Sequence, residues 1–298
     1  MPSPDSDFLA DRFEDQRAHL RAVAYRMLGS MAEADDAVQD AWLRLNRADT
    51  SSVDNLGGWL TTVVARLCLD RLRARAARRE ESIGPHIPDP IVSSPETDDP
   101  EHQAVMADSV GLALLVVLET LTPAERLAFV LHDTFGLPFD EIAPIVDRSP
   151  TATRQLASRA RRRVRGVEEP SRVSPTRERE LVNAFLAAAR GGDFEALLRI
   201  LDPDVVVRAD MGRGRTVLGR SRDARGAEEV ARQAHAFRHL APGARAAIVN
   251  GSPGLVVFAD EKPFAVLGFA FRDDRIVEIE ILGDPKRLAR LDLSALRR

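Results

Sequence analysis

Arginine gives this chain its most visible chemistry. Between Arg148 and Val167 there is no acid, and Arg154, Arg159, Arg161, Arg162, Arg163 and Arg165 crowd together there. A second block holds Arg71, Arg73, Arg75, Arg78 and Arg79. No Lys or Arg follows between Arg79 and Arg126, whereas Glu80, Glu81, Asp89, Glu96, Asp98, Asp99 and Glu101 do. A guanidinium keeps its charge and presents forked donors that match phosphate oxygens and the guanine edge. Two basic blocks separated by an acidic stretch suit two contacts with a polyanion, joined by a segment that avoids it. Solvated helix faces are the plain alternative reading of the same charges. A third patch is acidic: Asp35, Asp36, Gln39 and Asp40 oppose the apolar stripe Ala34, Ala37, Val38, Ala41, Trp42 and Leu45.

Folded elements must hold these patches, and the composition permits them. The 298 residues, 44% hydrophobic and 30% charged, suit two or three domains, and the net charge of -4 hides the segregation along the chain. The single cysteine, Cys68, excludes an internal disulfide framework, and no Cys/His cluster has zinc spacing. The first residues lack the basic-then-apolar order of a signal peptide. The longest apolar runs, such as Leu112 to Leu118, fall far short of the ~20 residues of a membrane span. A cytoplasmic protein is expected, with no metal and no cofactor.

Leu20, Val23, Ala24, Met27 and Leu28 keep helical spacing up to a stop at Gly29. The acidic-faced helix follows, then a polar loop over 46–58 that takes in Gly57-Gly58. A third helix begins near Trp59, points Leu60, Val63, Val64, Leu67 and Leu72 inward, and runs into the first arginine block. These helices make a small all-α domain over 8–82. Prolines at 85, 88, 90 and 95 mark an acidic linker over 83–106.

In a second all-α domain over 107–168, Thr122-Pro123-Ala124-Glu125 has the form of a capping box with Pro at N1. Its helix carries Leu127, Val130 and Leu131 and ends near Phe135-Gly136. A short helix from Phe139 to Val146 follows, then a cap at Ser149 and a last helix from Pro150 to about Arg165. This is a helix-turn-helix whose last helix is the reader. Thr151, Arg154, Gln155, Ser158 and Arg159 can reach base edges or phosphates, and Arg161, Arg162, Arg163 and Arg165 suit phosphate. A helical hairpin without a DNA role is the alternative.

Beyond a break at Pro170 and Pro175 lies a third piece, over 175–298. Glu180 to Ala188 form a helix ended by Gly191-Gly192, Asp193 caps the next, and Val205-Val206-Val207 starts a strand. A helix from Ala227 to His239 precedes strands at 246–250, 255–259, 265–271 and 275–282, with Asp273-Asp274 as a hairpin turn.

Taken together, the first two pieces resemble an extracytoplasmic-function sigma factor of the sigma-70 family. Ala34-Asp35-Asp36-Ala37-Val38-Gln39-Asp40-Ala41-Trp42-Leu43 resembles the polymerase-binding helix of region two. Residues 121–161, with Phe139-Asp140-Glu141-Ile142-Ala143 and Ser158-Arg159-Ala160-Arg161, are similar to region four. The resemblance implies that Asp35, Asp36, Gln39, Asp40 and Trp42 meet core RNA polymerase, at the beta-prime clamp helices, with the beta subunit also in contact. It further implies that Asn55, Trp59, Arg66, Arg71 and Arg73 hold the minus-ten element of promoter DNA, and that Ser149, Thr151, Arg154, Gln155, Ser158, Arg159 and Arg162 read the minus-thirty-five element. The acidic linker would thread the polymerase channels. Leu156 stands where many relatives carry a basic residue, and Pro144 inside the short helix is a second departure.

The third piece resembles the SnoaL-like cone-shaped α+β barrel, through Gly192-Asp193-Phe194 and Pro203-Asp204-Val205. Sigma factors with this tail form a subgroup in which the tail acts as a built-in regulator. His86-Ile87-Pro88-Asp89-Pro90 keeps the prolines and the acid of that subgroup's linker motif. Asp210-Met211-Gly212-Arg213-Gly214 stands at its glycine-rich motif, and Gly283-Asp284-Pro285-Lys286 echoes a third loop. Pro88, Asp89, Pro90, Asp210, Gly212 and Gly214 are thus the candidate regulatory residues. The same barrel serves elsewhere as an enzyme, for which Asp210 and His235 are the proton-moving candidates, and it leaves room for a small-molecule ligand. The expectation is a sigma factor with an intramolecular regulator and no catalytic residue. A free-standing helix-turn-helix regulator and a SnoaL-type enzyme with a helical targeting region are the alternatives.

Overall fold

The computed structural model describes residues 4–48, 55–78, 87–95, 111–164, 173–212 and 223–296. They divide into two units, one made of 4–48, 55–78 and 117–164, the other of 87–95, 111–116, 173–212 and 223–296. Among the described residues no helix is long and apolar enough to cross a membrane.

The first unit opens with α1 (Pro4–Leu28), α2 (Met31–Leu45) and α3 (Leu56–Arg78). The chain leaves α1 at Gly29, whose φ of 72° suits a residue without Cβ, and the Gly29 N–H closes the last turn on the Tyr25 carbonyl at 2.7 Å. Ala34, Ala37, Val38, Ala41 and Leu45 form the buried stripe of α2, and three of these five are alanines, which lets neighbouring helices approach closely. The sequence expectation placed Gly57-Gly58 in the loop, but both lie in the first turn of α3. The Gly58 N–H donates to Asn55 Oδ1 at 3.0 Å, so an Asn cap starts this helix three residues before Trp59.

Next in the chain come α4 (Leu112–Leu118), whose residues up to Val116 belong to the second unit, and then, in the first, α5 (Pro123–Phe129), α6 (Phe139–Val146) and α7 (Pro150–Val164). The capping box of α5 closes in both directions: Glu125 N–H donates to Thr122 Oγ1 at 3.3 Å, and Thr122 N–H donates to Glu125 Oε2 at 3.2 Å. Such a cap stabilises a helix by ~1 kcal/mol. A π-helical turn, Val130–Thr134, carries α5 onward, closed by Phe135 N–H on the Val130 carbonyl at 3.3 Å. Ser149 Oγ caps α7 by accepting from Ala152 N–H at 3.2 Å. Thr153, Leu156, Ala157, Ala160 and Val164 are the buried side of α7. Leu156 thus belongs to the core, which accounts for an apolar residue in a basic helix.

The second unit is α+β. After α8 (Pro175–Gly191) and α9 (Phe194–Ile200) come β2 (Leu201–Asp210), β3 (Asp223–Arg225), α10 (Ala227–Ala236), β4 (Ala244–Val249), β5 (Ser252–Ala259), β6 (Lys262–Arg272), β7 (Arg275–Leu282) and α11 (Pro285–Leu288). Asp193 caps α9 as its sequence suggests, accepting from Ala196 N–H at 2.9 Å. An early strand, β1 (Val92–Ser93), comes from the linker and pairs antiparallel with β4, Val92 opposite Val249. The sheet order is β1-β4-β5-β6-β7-β2-β3, antiparallel except for the β2–β7 pair.

Alternation along the strands sorts the sheet into two apolar faces. Leu255, Val257, Ala265, Phe269 and Ile279 pack with α8 and α10 on one face. Val256, Phe258, Val266 and Leu282 pack on the other with Leu112, Val116, Leu288 and, from the linker, Ile87 and Val92. Helices against one face of this curved sheet give the SnoaL-like cone. The other face is where the linker lies.

Candidate functional site

On α2, Asp36 and Gln39 are exposed, while Asp35 accepts an ion pair from Arg21 Nε at 2.6 Å. Asp40 meets Arg71 Nη2 at 2.7 Å, and Arg71 Nη1 also donates to the Glu33 carbonyl at 2.8 Å. Trp42 rests on Phe13, ring centroids 5.0 Å apart. Arg71, assigned to DNA by the resemblance, is therefore bonded to the acidic face assigned to polymerase, and Arg75 repeats this at Glu33 Oε2, 2.5 Å away. Arg66 and Arg73 are exposed on α3, Arg73 3.8 Å from Asp70. Asn55 is exposed and serves as the cap described above, and Trp59 is half-buried.

On α7, Ser149, Thr151, Arg154, Gln155, Arg159 and Arg162 are exposed and Ser158 is half-buried. Arg154 lies over the Phe139 ring, 5.3 Å from its centroid. Arg159 Nε and Arg163 Nη1 each reach Glu125 at 3.0 Å, and Arg161 Nε reaches Asp133 at 2.5 Å. Burial pushes the Glu125 carboxyl up, but the Thr122 and Arg159 hydrogen bonds and the Arg163 charge outweigh it and hold it below the usual carboxylate value. One buried acid at the cap of α5 thus holds two arginines of α7, an arrangement sequence spacing alone did not reveal.

Arg126 joins these parts of the unit. It is fully buried, donates through Nε and Nη2 to the Arg26 carbonyl at 3.1 and 3.0 Å, and pairs with buried Glu119 at 2.5 Å. Beside it, Arg26 lies 4.7 Å over the Phe135 ring.

In the second unit the linker is clasped. Arg287, at the end of the GDPK stretch, donates through Nε to Asp89 at 2.5 Å, through Nη1 to Asp210 Oδ2 at 2.8 Å, and through Nη2 to the Ile87 carbonyl. Asp210 also accepts from Ile87 N–H at 3.4 Å and from Gly212 N–H at 3.1 Å. Asn250 completes the hold: its Oδ1 accepts from Ile91 N–H at 3.0 Å, and its own N–H donates to the Ile91 carbonyl at 2.9 Å. Pro88 and Pro90 are buried and Asp89 is half-buried between them. Gly212 has φ 76°, and a Cβ there would stand 2.6 Å from Asp284 Oδ2, the carboxylate that caps α11, so only glycine fits. Gly214 lies outside the described residues.

Asp210 and His235, the two proton-moving candidates, are not brought together on a cavity. Asp210 is engaged by Arg287, and His235 sits beside Gly192, its Nδ1 buried without a hydrogen-bond partner among the described residues. No group of three or more metal-ligating side chains occurs among the described residues. The decisive residues that sequence reasoning missed are Arg287 and Asn250. The signal for Arg287 was one position past Lys286, where the third loop was left. Asn250 offered none, since only the register of β1 against β4 brings it to the linker.

The order of a helical unit followed by a sheet unit agrees with the comparisons. The Sigma-70 region 2 model matches residues 13–78, and the Sigma-70, region 4 model matches residues 111–164. Probable ECF RNA polymerase sigma factor SigI of Mycobacterium tuberculosis H37Rv is 37% identical over 275 residues, spanning 91% of this chain and 92% of that protein. ECF RNA polymerase sigma factor SigJ of the same strain is 43% identical over 224 residues, 74% of this chain and 70% of that one. The crystal structure of Mycobacterium tuberculosis SigJ matches with a TM-score of 0.77 at 34% identity, covering 95% of this chain and 99% of that chain. The chain belongs to the extracytoplasmic-function RNA polymerase sigma factors, proteins that direct transcription initiation by core polymerase at promoter DNA.

Proposed function

We propose that this sigma factor docks on core polymerase through the α2 face and is restrained by its own C-terminal unit. Asp36 and Gln39, with Asp35, Asp40 and Trp42 around them, form the docking surface. The exposed face of α3 around Arg66 and Arg73 holds the opened minus-ten strand, where aromatic and basic groups suit splayed bases. The first turns of α7 read the minus-thirty-five duplex, Gln155 and Arg154 toward base edges and Arg162 toward phosphate. Glu125 acts as a positioning residue for Arg159 and Arg163.

The observation that carries the regulatory part is the Arg287 clasp on Asp89 and the Ile87 carbonyl. A linker segment paired into the cone is withheld from any other partner, so polymerase must compete with the clasp for it. The cavity of the cone is lined by no Asp, Glu, His, Lys or Arg among the described residues, which favours a regulator over a catalyst. The docking face is tested by polymerase-dependent run-off transcription with Asp36→Arg plus Gln39→Arg, two exposed sites whose change leaves the core intact. Promoter-directed transcripts should fall at least tenfold; undiminished transcripts would place the polymerase face elsewhere.

A further inference from the structure

Arg154 differs from its neighbours on α7 in what holds it. Arg159, Arg161 and Arg163 each spend an N–H on a carboxylate, that of Glu125 or Asp133. Arg154 is exposed and lies instead over the Phe139 ring, 5.3 Å from its centroid. A guanidinium held through its face gives up none of its in-plane N–H donors, so the fork stays free.

The ring is itself held in place. Pro138, with φ −69°, sets the entry into α6, and Phe139 is the first residue of that helix. His132 stacks on Phe139 with ring centroids 3.8 Å apart and planes 28° apart. His132 Nδ1 donates to the Leu137 carbonyl at 2.9 Å, and Leu137 N–H donates to the Leu131 carbonyl at 2.9 Å. The imidazole is thus tied to the turn that leads into α6. The π-helical turn Val130–Thr134 makes this possible, because two consecutive residues of it reach forward, His132 to α6 and Asp133 to α7. Such turns concentrate at functional sites.

We propose that Phe139, backed by His132, is a positioning residue that aims Arg154 at a guanine edge in the minus-thirty-five duplex. A free arginine gives up much rotamer freedom on binding a base, and one already confined by a ring gives up less. Arg154 then discriminates one base pair through bidentate bonds. Arg159, Arg161 and Arg163, held by acids, are left the phosphates, which carry no sequence information. The proposal rests on the reading of α7 as the promoter reader.

The test loads full-length variants on core polymerase with a promoter library randomised over both elements, and the transcripts are sequenced against the input. Arg154→Ala should cut the preference at one base pair about tenfold. Phe139→Leu keeps an apolar side chain and should weaken that same base pair about threefold, leaving the other positions unchanged. Phe139→Tyr should restore it, and His132→Leu should weaken the same pair, which serves where Phe139→Leu does not fold. In the Arg154→Ala background Phe139→Leu should add nothing. Uniform weakening at every position, or a further loss in that background, would overturn the proposal. A changed Arg154→Ala profile beside unchanged Phe139→Leu and His132→Leu profiles would overturn it alone. An Arg154→Ala profile identical to the parent's would overturn the reader assignment and the proposal together.

Discussion

Asp89 and Arg287, 198 positions apart in the chain, lie 2.5 Å from one another across the boundary between linker and cone. The pair is largely withdrawn from water, with side chains 15% and 13% exposed. Removing the cation would leave the Asp89 and Asp210 carboxylates side by side without the Arg287 charge between them, which costs about 3 kcal/mol for a largely buried group. Arg287→Ala should therefore lower the melting temperature of the second unit and speed hydrogen exchange at the Ile91 amide more than tenfold. Exchange at Ile91 unchanged from the parent chain would show that the clasp does not hold the linker.

Glu280 gives the second unit a pH dependence. It is 2% exposed and bonded to Arg208 at 2.7 Å, yet burial pushes its carboxyl up to about 7, the Arg208 charge opposing and the Asp223 charge adding to the rise. The unfolded chain releases this proton near 4.5, so between there and about 7 the folded chain binds more protons than the unfolded one. Stability from this group is full below pH 4.5 and declines as pH rises to about 7, by roughly 3 kcal/mol. Glu280→Gln should flatten that decline in denaturant melts from pH 5 to 8. An identical slope in the variant would contradict the assignment.

Arg126 and Glu119 test how the first unit is joined. Arg126→Ala strands a buried carboxylate and the Arg26 carbonyl, and should cost roughly 3–5 kcal/mol. Arg126→Met combined with Glu119→Leu replaces the pair by apolar groups of similar volume and should recover most of that loss. Urea melts of the singles and the double measure the coupling. Additive losses would mean that the two residues act independently.

Cys68 is fully buried, and burial pushes its thiol up to about 12, the nearby Arg71 charge notwithstanding. The thiolate is the reactive form, so native protein should resist iodoacetamide at pH 8 and react only in denaturant. Alkylation of the native chain at the rate of a free thiol would refute this.

Periodicity made the helices legible because each buries one stripe: Ala34 to Leu45 and Thr153 to Val164 could be read from spacing alone. Caps at Thr122, Ser149 and Asp193 were legible because a side chain and the amide it satisfies lie within a few residues. The start of α3 was not, since Gly57-Gly58 argues for a loop unless Asn55 is seen to cap it. Strand β1 escaped because two residues among prolines carry no alternation, and the partner of Val92, Val249, lies far along the chain. Helix α7 stood out by its charge, but charge could not tell Arg159 and Arg163, turned to Glu125, from Arg162. Long-range pairs such as Asp89 with Arg287 leave no mark in local sequence.

The most direct measurement is run-off transcription with limiting core polymerase, comparing the intact chain with Arg287→Ala. If the clasp withholds the linker, freeing it raises the share of chain competent to bind polymerase, and each 1.4 kcal/mol released is worth about tenfold. Arg287→Ala should give several-fold more promoter-directed transcript than the intact chain at equal concentration. Output equal to or below that of the intact chain would contradict it.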